Sequence, residues 1–161
     1  MTAVTIALNG RQVDAEVEGR LSLADLIREQ PGCTGTHLAC EHGVCGACTI
    51  LLDGRPVRSC ITLAGQASGS AVRTVEGFDD DAAMTIIRQA FHEAHGLQCG
   101  YCTPGMLVTV RDILKRGKAA DQPEIRRELS GNICRCTGYM GIVEAVELAR
   151  DRLKQVGLAP D

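Results

Sequence analysis

The chain has 161 residues, a net charge of −3 and nine cysteines, with two Phe, two Tyr and no Trp. So small a charge excludes a basic nucleic-acid surface or an anionic-membrane patch as the organising feature, and no apolar run approaches the ~20 residues of a membrane span. MTAVTIALNG has neither the basic nor the apolar region of a signal peptide, so the expectation is a cytoplasmic chain whose thiols bind metal rather than a secreted disulfide framework.

The first half reads as strands around one helix. TIALNGRQVDAEV alternates apolar and polar residues about Asn9-Gly10, a strong hairpin signal. In SLADLIREQ, Ser22 and Asp25 suit a helix N-cap and its third position, Leu23, Leu26 and Ile27 share a face, and Pro31-Gly32 ends the helix. CTILLDGRPVRSC predicts a second hairpin turning at Asp53-Gly54, and AVRTVEG a last strand. This order of elements is that of a β-grasp, plant-type ferredoxin-like domain, placed at 1–77.

From Phe78 the period changes to helical. DDAAMTIIRQAFHEAHG puts Met84, Ile87, Phe91 and Ala94 on one stripe after acidic residues that favour a helix start. TPGMLVTVRDILKRG predicts a helix with Thr103 as N-cap, Pro104 in the first turn and Gly117 after the last. DQPEIRRELSG is a short helix capped by Asp121 with Glu124 three on, and GYMGIVEAVELARDRLKQVG is a long one with Ile142, Val146, Ala149 and Leu153 inward. Four helices predict a four-helix bundle over 78–161. The fold class is α+β. Halves of roughly eighty residues are at the size where a metal staple is often needed.

CEHGVCGACTI holds Cys40, Cys45 and Cys48. If Asp53-Gly54 is a two-residue turn, the ladder runs back from Leu52 opposite Arg55 until Ala47 faces Cys60, which brings a fourth thiol to the same place. C-x4-C-x2-C with a distant Cys is the plant-type [2Fe–2S] spacing. Gly43 and Gly46 supply the positive φ and close approach that such a loop needs, and loop N–H groups would tune the potential. Structural zinc prefers two short pairs. Cys40-Glu41-His42 is half a Rieske motif with no second half. His37 and His42 read as solvent-facing loop residues.

QCGYC supplies Cys99 and Cys102, and CRC supplies Cys134 and Cys136. Both pairs precede predicted helices, whose N-termini are expected to lower thiolate pKa. On spacing alone zinc competes here; beside a ferredoxin-like module a second [2Fe–2S] cluster is favoured. Cys33 is left over as a small buried hydrophobe. His92 and His95, three apart on a helix, read as surface residues. No nucleophile triad, nucleotide-binding glycine motif or carboxylate pair stands out, so substrate chemistry is not expected in this chain.

TGTHLACEHGVCGACTI, RSC, QCGYCTPGM and GNICRCTGY together closely resemble the small iron–sulfur subunit of the molybdenum hydroxylases, the xanthine oxidase family, along nearly the whole chain. His37 and Ala39 depart from the Lys or Arg and the Gly that members often carry there. The resemblance implies an electron-transfer subunit of a multi-subunit oxidoreductase. Its large partner would carry molybdenum on molybdopterin, often as the cytosine dinucleotide, and its medium partner FAD, in a dimer of heterotrimers. It also implies that Gln98 and Cys136 touch the pterin, and that electrons run one at a time from molybdenum through the helical-domain cluster and the ferredoxin-domain cluster to FAD or another acceptor. Without the resemblance, Gln98 reads as a solvated loop residue. The competing functions are a free two-cluster ferredoxin and a zinc protein or iron–sulfur sensor.

Overall fold

The computed structural model describes residues 1–29 and 33–158. β1 (Thr2–Leu8) and β2 (Arg11–Val17) form an antiparallel hairpin from Thr2↔Val17 to Leu8↔Arg11. Its two-residue turn has φ 50° at Asn9 and φ 81° at Gly10, the left-handed pair that matches strand twist. α1 (Leu23–Glu29) follows, with Ser22 Oγ accepting the Asp25 N–H at 3.1 Å. The expected stop at Pro31-Gly32 lies outside the described residues.

β3 (Thr49–Leu52) and β4 (Arg55–Arg58) form the second hairpin about Asp53 and Gly54, which are again left-handed. β5 (Ala71–Arg73) enters the middle of the sheet, parallel to β1 and antiparallel to β3, giving the order β2-β1-β5-β3-β4. Val4, Ile6 and Leu8 alternate into a core with Ile50, Val72 and the Leu23, Leu26 and Ile27 face of α1. Each such side chain contributes about 1.5–3 kcal/mol of burial.

The second hairpin departs from expectation at one point. The ladder runs from Leu52↔Arg55 to Thr49↔Arg58 and ends there. The Cys48 carbonyl accepts both the Ser59 N–H at 3.4 Å and the Ser59 hydroxyl at 2.8 Å. These bonds turn the chain into a 3-10 segment, Ser59–Ile61, in place of an Ala47–Cys60 pair.

α2 (Ala82–Glu93), α3 (Thr103–Lys115), α4 (Gln122–Glu128) and α5 (Tyr139–Gln155) make up the other half. Met84, Ile87 and Phe91 pack with Met106, Val110, Ile113, Ile125, Ile142, Val146, Ala149 and Leu153 in a second core. Ala94 is only half-buried, because α2 ends there. Asp81 caps α2 by accepting the Met84 N–H at 2.8 Å and also pairs with Arg111 of α3 at 3.1 Å. Asp121 caps α4 through the Glu124 N–H at 2.8 Å. Gly117, with φ 66°, closes α3. Thr103 is not the cap of α3: the helix takes Cys102 as its N-cap residue, Thr103 is its first helical residue, and the Thr103 hydroxyl is buried without a hydrogen-bond partner.

α3 packs against β3 and β4, so the two halves share a polar seam. A Cβ built on Gly105 would lie 2.3 Å from the Gly46 oxygen, and one on Gly46 would lie 2.5 Å from the Gly131 oxygen. Asn132 is 3 % exposed. Its Nδ2 donates to the Gly46 carbonyl at 3.1 Å, and its Oδ1 accepts from Thr109 Oγ1 at 3.0 Å. Arg58 donates to the Gly131 carbonyl and to Thr49 Oγ1, each at 2.6 Å. Among the described residues, no helix is long and apolar enough to cross a membrane.

Candidate metal centres

Cys40, Cys45 and Cys48 come from the loop that enters β3, and Cys60 from the 3-10 turn that leaves β4. Three loop residues are left-handed: Glu41 at φ 54°, Gly43 at 83° and Gly46 at 76°. The positive φ expected of both glycines is therefore present. Each glycine also packs closely on protein: a Cβ on Gly43 would lie 2.7 Å from Ile61 Cδ1, and one on Gly46 would meet Gly131 and Asn132. The Cys45 N–H lies 3.4 Å from Cys40 Sγ. Backbone N–H groups of Cys45 and then His42 hold the Cys40 thiol down at about 6. Burial, then the neighbouring Cys48 thiol, pushes Cys60 up to about 11.

Cys99 and Cys102 precede α3, and Cys134 and Cys136 lie in the turn before α5. Cys134 is buried, Cys102 and Cys136 are half-buried and Cys99 is exposed. The Gly138 N–H points at Cys134 Sγ from 3.3 Å and the Tyr101 N–H at Cys99 Sγ from 3.5 Å. The Tyr101 N–H, helped by the Cys136 thiol, keeps Cys99 below its ordinary value. Cys136 is raised by that same contact with Cys99. Burial, with Cys134 beside it, pushes Cys102 up to about 12. The expected lowering by a helix N-terminus is thus overturned at Cys102: desolvation in the core outweighs the partial charge of α3.

Among the described residues, no three His, Cys, Asp or Glu side chains close on one point as a single metal ion requires. The thiols that act on one another's titration do so chiefly in twos: Cys45 on Cys40, Cys48 on Cys60, Cys136 on Cys99 and Cys134 on Cys102. Within each quartet the pairs also feel each other's charge, Cys60 that of Cys40 and Cys102 that of Cys99. Neighbouring thiolates repel and stay ionised together only with cationic charge between them. Four cysteines at each site, C-x4-C-x2-C with Cys60 and C-x2-C with C-x-C, suit a [2Fe–2S] group. The N–H groups aimed at Cys40, Cys99 and Cys134 suit an anionic cluster.

The remaining expected positions separate clearly. Gln98 is exposed beside Cys99. Cys33 is buried, apart from both quartets, and receives a weak contact from Asn9 Nδ2 at 3.6 Å. His92 and His95 are exposed, as is His42, which pairs with the Cys40 carbonyl. His37 does not face solvent as expected: it is half-buried, stacked on Tyr101 with ring centroids 4.6 Å apart. The spacing of His37 and Tyr101 along the chain carries no signal of this contact. Ile133 was likewise missed. Its N–H donates to the Cys45 carbonyl at 2.8 Å, so the residue before Cys134 is hydrogen-bonded to a cysteine of the other quartet.

Comparison with known proteins bears on the whole arrangement. Residues 6–73 match a 2Fe-2S iron-sulfur cluster binding domain, and residues 74–147 match a [2Fe-2S] binding domain. The chain is 49% identical over 147 residues to the caffeine dehydrogenase subunit gamma of Pseudomonas sp. (strain CBB1), covering 89% of this chain and 88% of that one. It is 48% identical over 143 residues to the nicotine 6-hydroxylase small subunit of Paenarthrobacter nicotinovorans, covering 89% and 86%. It superposes on the crystal structure of quinoline 2-oxidoreductase from Pseudomonas putida 86 with a TM-score of 0.88 at 45% identity, covering 98% of both chains. The chain belongs to the small iron–sulfur subunits of the molybdenum hydroxylase family. A small subunit of this kind is an electron-transfer component of a multi-subunit oxidoreductase rather than a free ferredoxin, and this one carries two [2Fe–2S]-binding domains.

Proposed function

We propose that Cys40, Cys45, Cys48 and Cys60 hold one [2Fe–2S] cluster and Cys99, Cys102, Cys134 and Cys136 a second, in a β-grasp domain at 1–77 and a four-helix bundle at 78–161. The observation that carries this reading is that backbone N–H groups of the two cysteine loops are directed at the sulfurs of Cys40, Cys99 and Cys134. When bound, each cluster supplies a site that takes up and releases one electron. The chain's own residues hold the sulfurs, aim N–H groups at them and join the two sites through the Ile133 N–H and Cys45 carbonyl bond.

In this reading the chain assembles in the cytoplasm with a large molybdopterin subunit, the pterin being the cytosine dinucleotide, and a medium FAD subunit, as a dimer of heterotrimers. Gln98, which is exposed beside Cys99, and Cys136 touch the pterin in this reading. Gln98 offers both a donor and acceptors to a heterocyclic edge. Electrons pass from molybdenum to the helical-domain cluster, then to the ferredoxin-domain cluster and FAD. The relatives named for caffeine, nicotine and quinoline make an N-heterocycle the first substrate class to assay.

The test is Cys45→Ser in the assembled complex, followed in a single turnover. Substrate should still reduce the helical-domain cluster while flavin reduction slows sharply, with EPR confirming that the helical-domain cluster is intact. Flavin reduction at the normal rate would show that the proposed order is wrong.

A further inference from the structure

His37 lies in the loop that leads to Cys40, and Tyr101 lies between Cys99 and Cys102. The two residues join the loops that carry the two candidate centres. His37 Nδ1 is 2.7 Å from the Tyr101 carbonyl. A carbonyl only accepts, so Nδ1 carries the proton and donates. The rings stack with their planes 27° apart, and the Tyr101 hydroxyl donates to the Leu38 carbonyl. The N-terminal half thus grips Tyr101 by its main chain, its ring face and its hydroxyl. The Tyr101 N–H in turn points at Cys99 Sγ from 3.5 Å. Its neighbour Gly100 is left-handed at φ 80°, so the direction of that N–H depends on how the turn is held.

We propose that His37 and Tyr101 are positioning residues through which the N-terminal half sets the reduction potential of the C-terminal centre, by keeping the Tyr101 N–H aimed at Cys99. Reduction adds negative charge to a cluster and its sulfurs. An N–H donor therefore stabilises the reduced form more than the oxidised one and raises the potential. Hydrogen bonds weaken steeply with misalignment, so a turn released from the His37 ring and the Leu38 carbonyl loses part of this effect without losing a ligand. The inference rests on Cys99 being a cluster ligand, as proposed above.

The test is an EPR-monitored redox titration of the assembled complex and three variants. His37→Leu removes the donor and the ring. Tyr101→Phe keeps the stack and removes only the hydroxyl. His37→Asn returns an amide N–H near the place of Nδ1. The expected result for His37→Leu is a fall of about threefold to tenfold in the reduction equilibrium of the C-terminal centre, where tenfold is about 59 mV for one electron. Tyr101→Phe should shift the same centre in the same direction by less, His37→Asn should recover part of the loss, and the N-terminal centre should not move. An unmoved C-terminal potential in both His37→Leu and Tyr101→Phe overturns the proposal, as does a shift confined to the N-terminal centre. If His37→Leu fails to assemble, Tyr101→Phe decides alone. Iron and sulfide counts on the unmutated complex separate the two failures: a count short of roughly four of each refutes the ligand assignment, whereas full loading with unmoved potentials refutes only the positioning role.

Discussion

Gly105→Ala puts the seam between the two halves under direct strain. An added Cβ would meet the Gly46 oxygen at 2.3 Å and the Ala47 oxygen at 3.0 Å, where a carbon–oxygen contact normally needs about 3.3 Å or more. Either α3 or the loop must therefore retreat by about 1 Å. The loop is poorly placed to do so, because the Gly46 carbonyl is held by the Thr49 hydroxyl at 2.6 Å, the Thr49 N–H at 3.2 Å and Asn132 at 3.1 Å. Overpacking of this kind costs about 1–3 kcal/mol, and alanine returns at most about 1 kcal/mol over glycine in helix propensity. With that full return the clash still wins by up to about 2 kcal/mol, which lowers Tm by up to roughly 8 °C in a chain of this size. The assay is a thermal scan of the cluster-loaded protein at one fixed rate, since cluster loss makes the transition irreversible. Gly19→Ala is the control: its Cβ meets nothing within 4 Å, so its stability should stay within about 0.5 kcal/mol of the parent. A Gly105→Ala chain that melts at or above the parent refutes the seam as described.

Asn132→Ala should destabilise by about 1–2 kcal/mol, the low end for a buried amide, because Thr49 still serves the Gly46 carbonyl and Thr109 still bonds the Gly105 carbonyl at 2.9 Å. Combined with Gly105→Ala it should cost less than the sum, since both act on the same carbonyl; strict additivity in the double mutant contradicts this. Asp81→Asn keeps an N-cap but loses the charge that pairs with Arg111, and should cost about 1–2 kcal/mol in the same thermal scan. Burial pushes the Asp81 carboxyl up, but the Arg111 guanidinium and the Met84 N–H outweigh it and hold the carboxyl below its ordinary value. A lowered carboxyl contributes stability above its unfolded value and loses it only as pH falls through the folded one, so the deficit should be equal at about pH 6 and about pH 8; a deficit that changes over that range contradicts the assignment.

Local chemistry made much of the fold legible. Asn9-Gly10 and Asp53-Gly54 are turns because those residues tolerate the left-handed region, and Ser22, Asp121 and the Ile142 stripe act through neighbours three or four residues away. Cys60 could be brought to Cys48 by counting a hairpin, although the ladder ends two residues early where Ser59 takes the Cys48 carbonyl. Thr103 misled because its type suits a cap while Cys102, with helical φ and ψ, already occupies that position. The thiol at Cys102 responds to core desolvation, which depends on helices far along the chain. The seam through Gly46, Gly105 and Asn132, the insertion of β5 between β1 and β3, and the His37–Tyr101 stack are contacts between distant segments. No period or motif records them.

The central claim is that eight of the nine cysteines hold two binuclear iron–sulfur clusters that pass electrons within a larger oxidoreductase. Its most direct test is elemental and acid-labile sulfide analysis of the complex purified anaerobically from its native source. The account predicts roughly four irons and four sulfides per chain. Stoichiometric zinc without sulfide would contradict it.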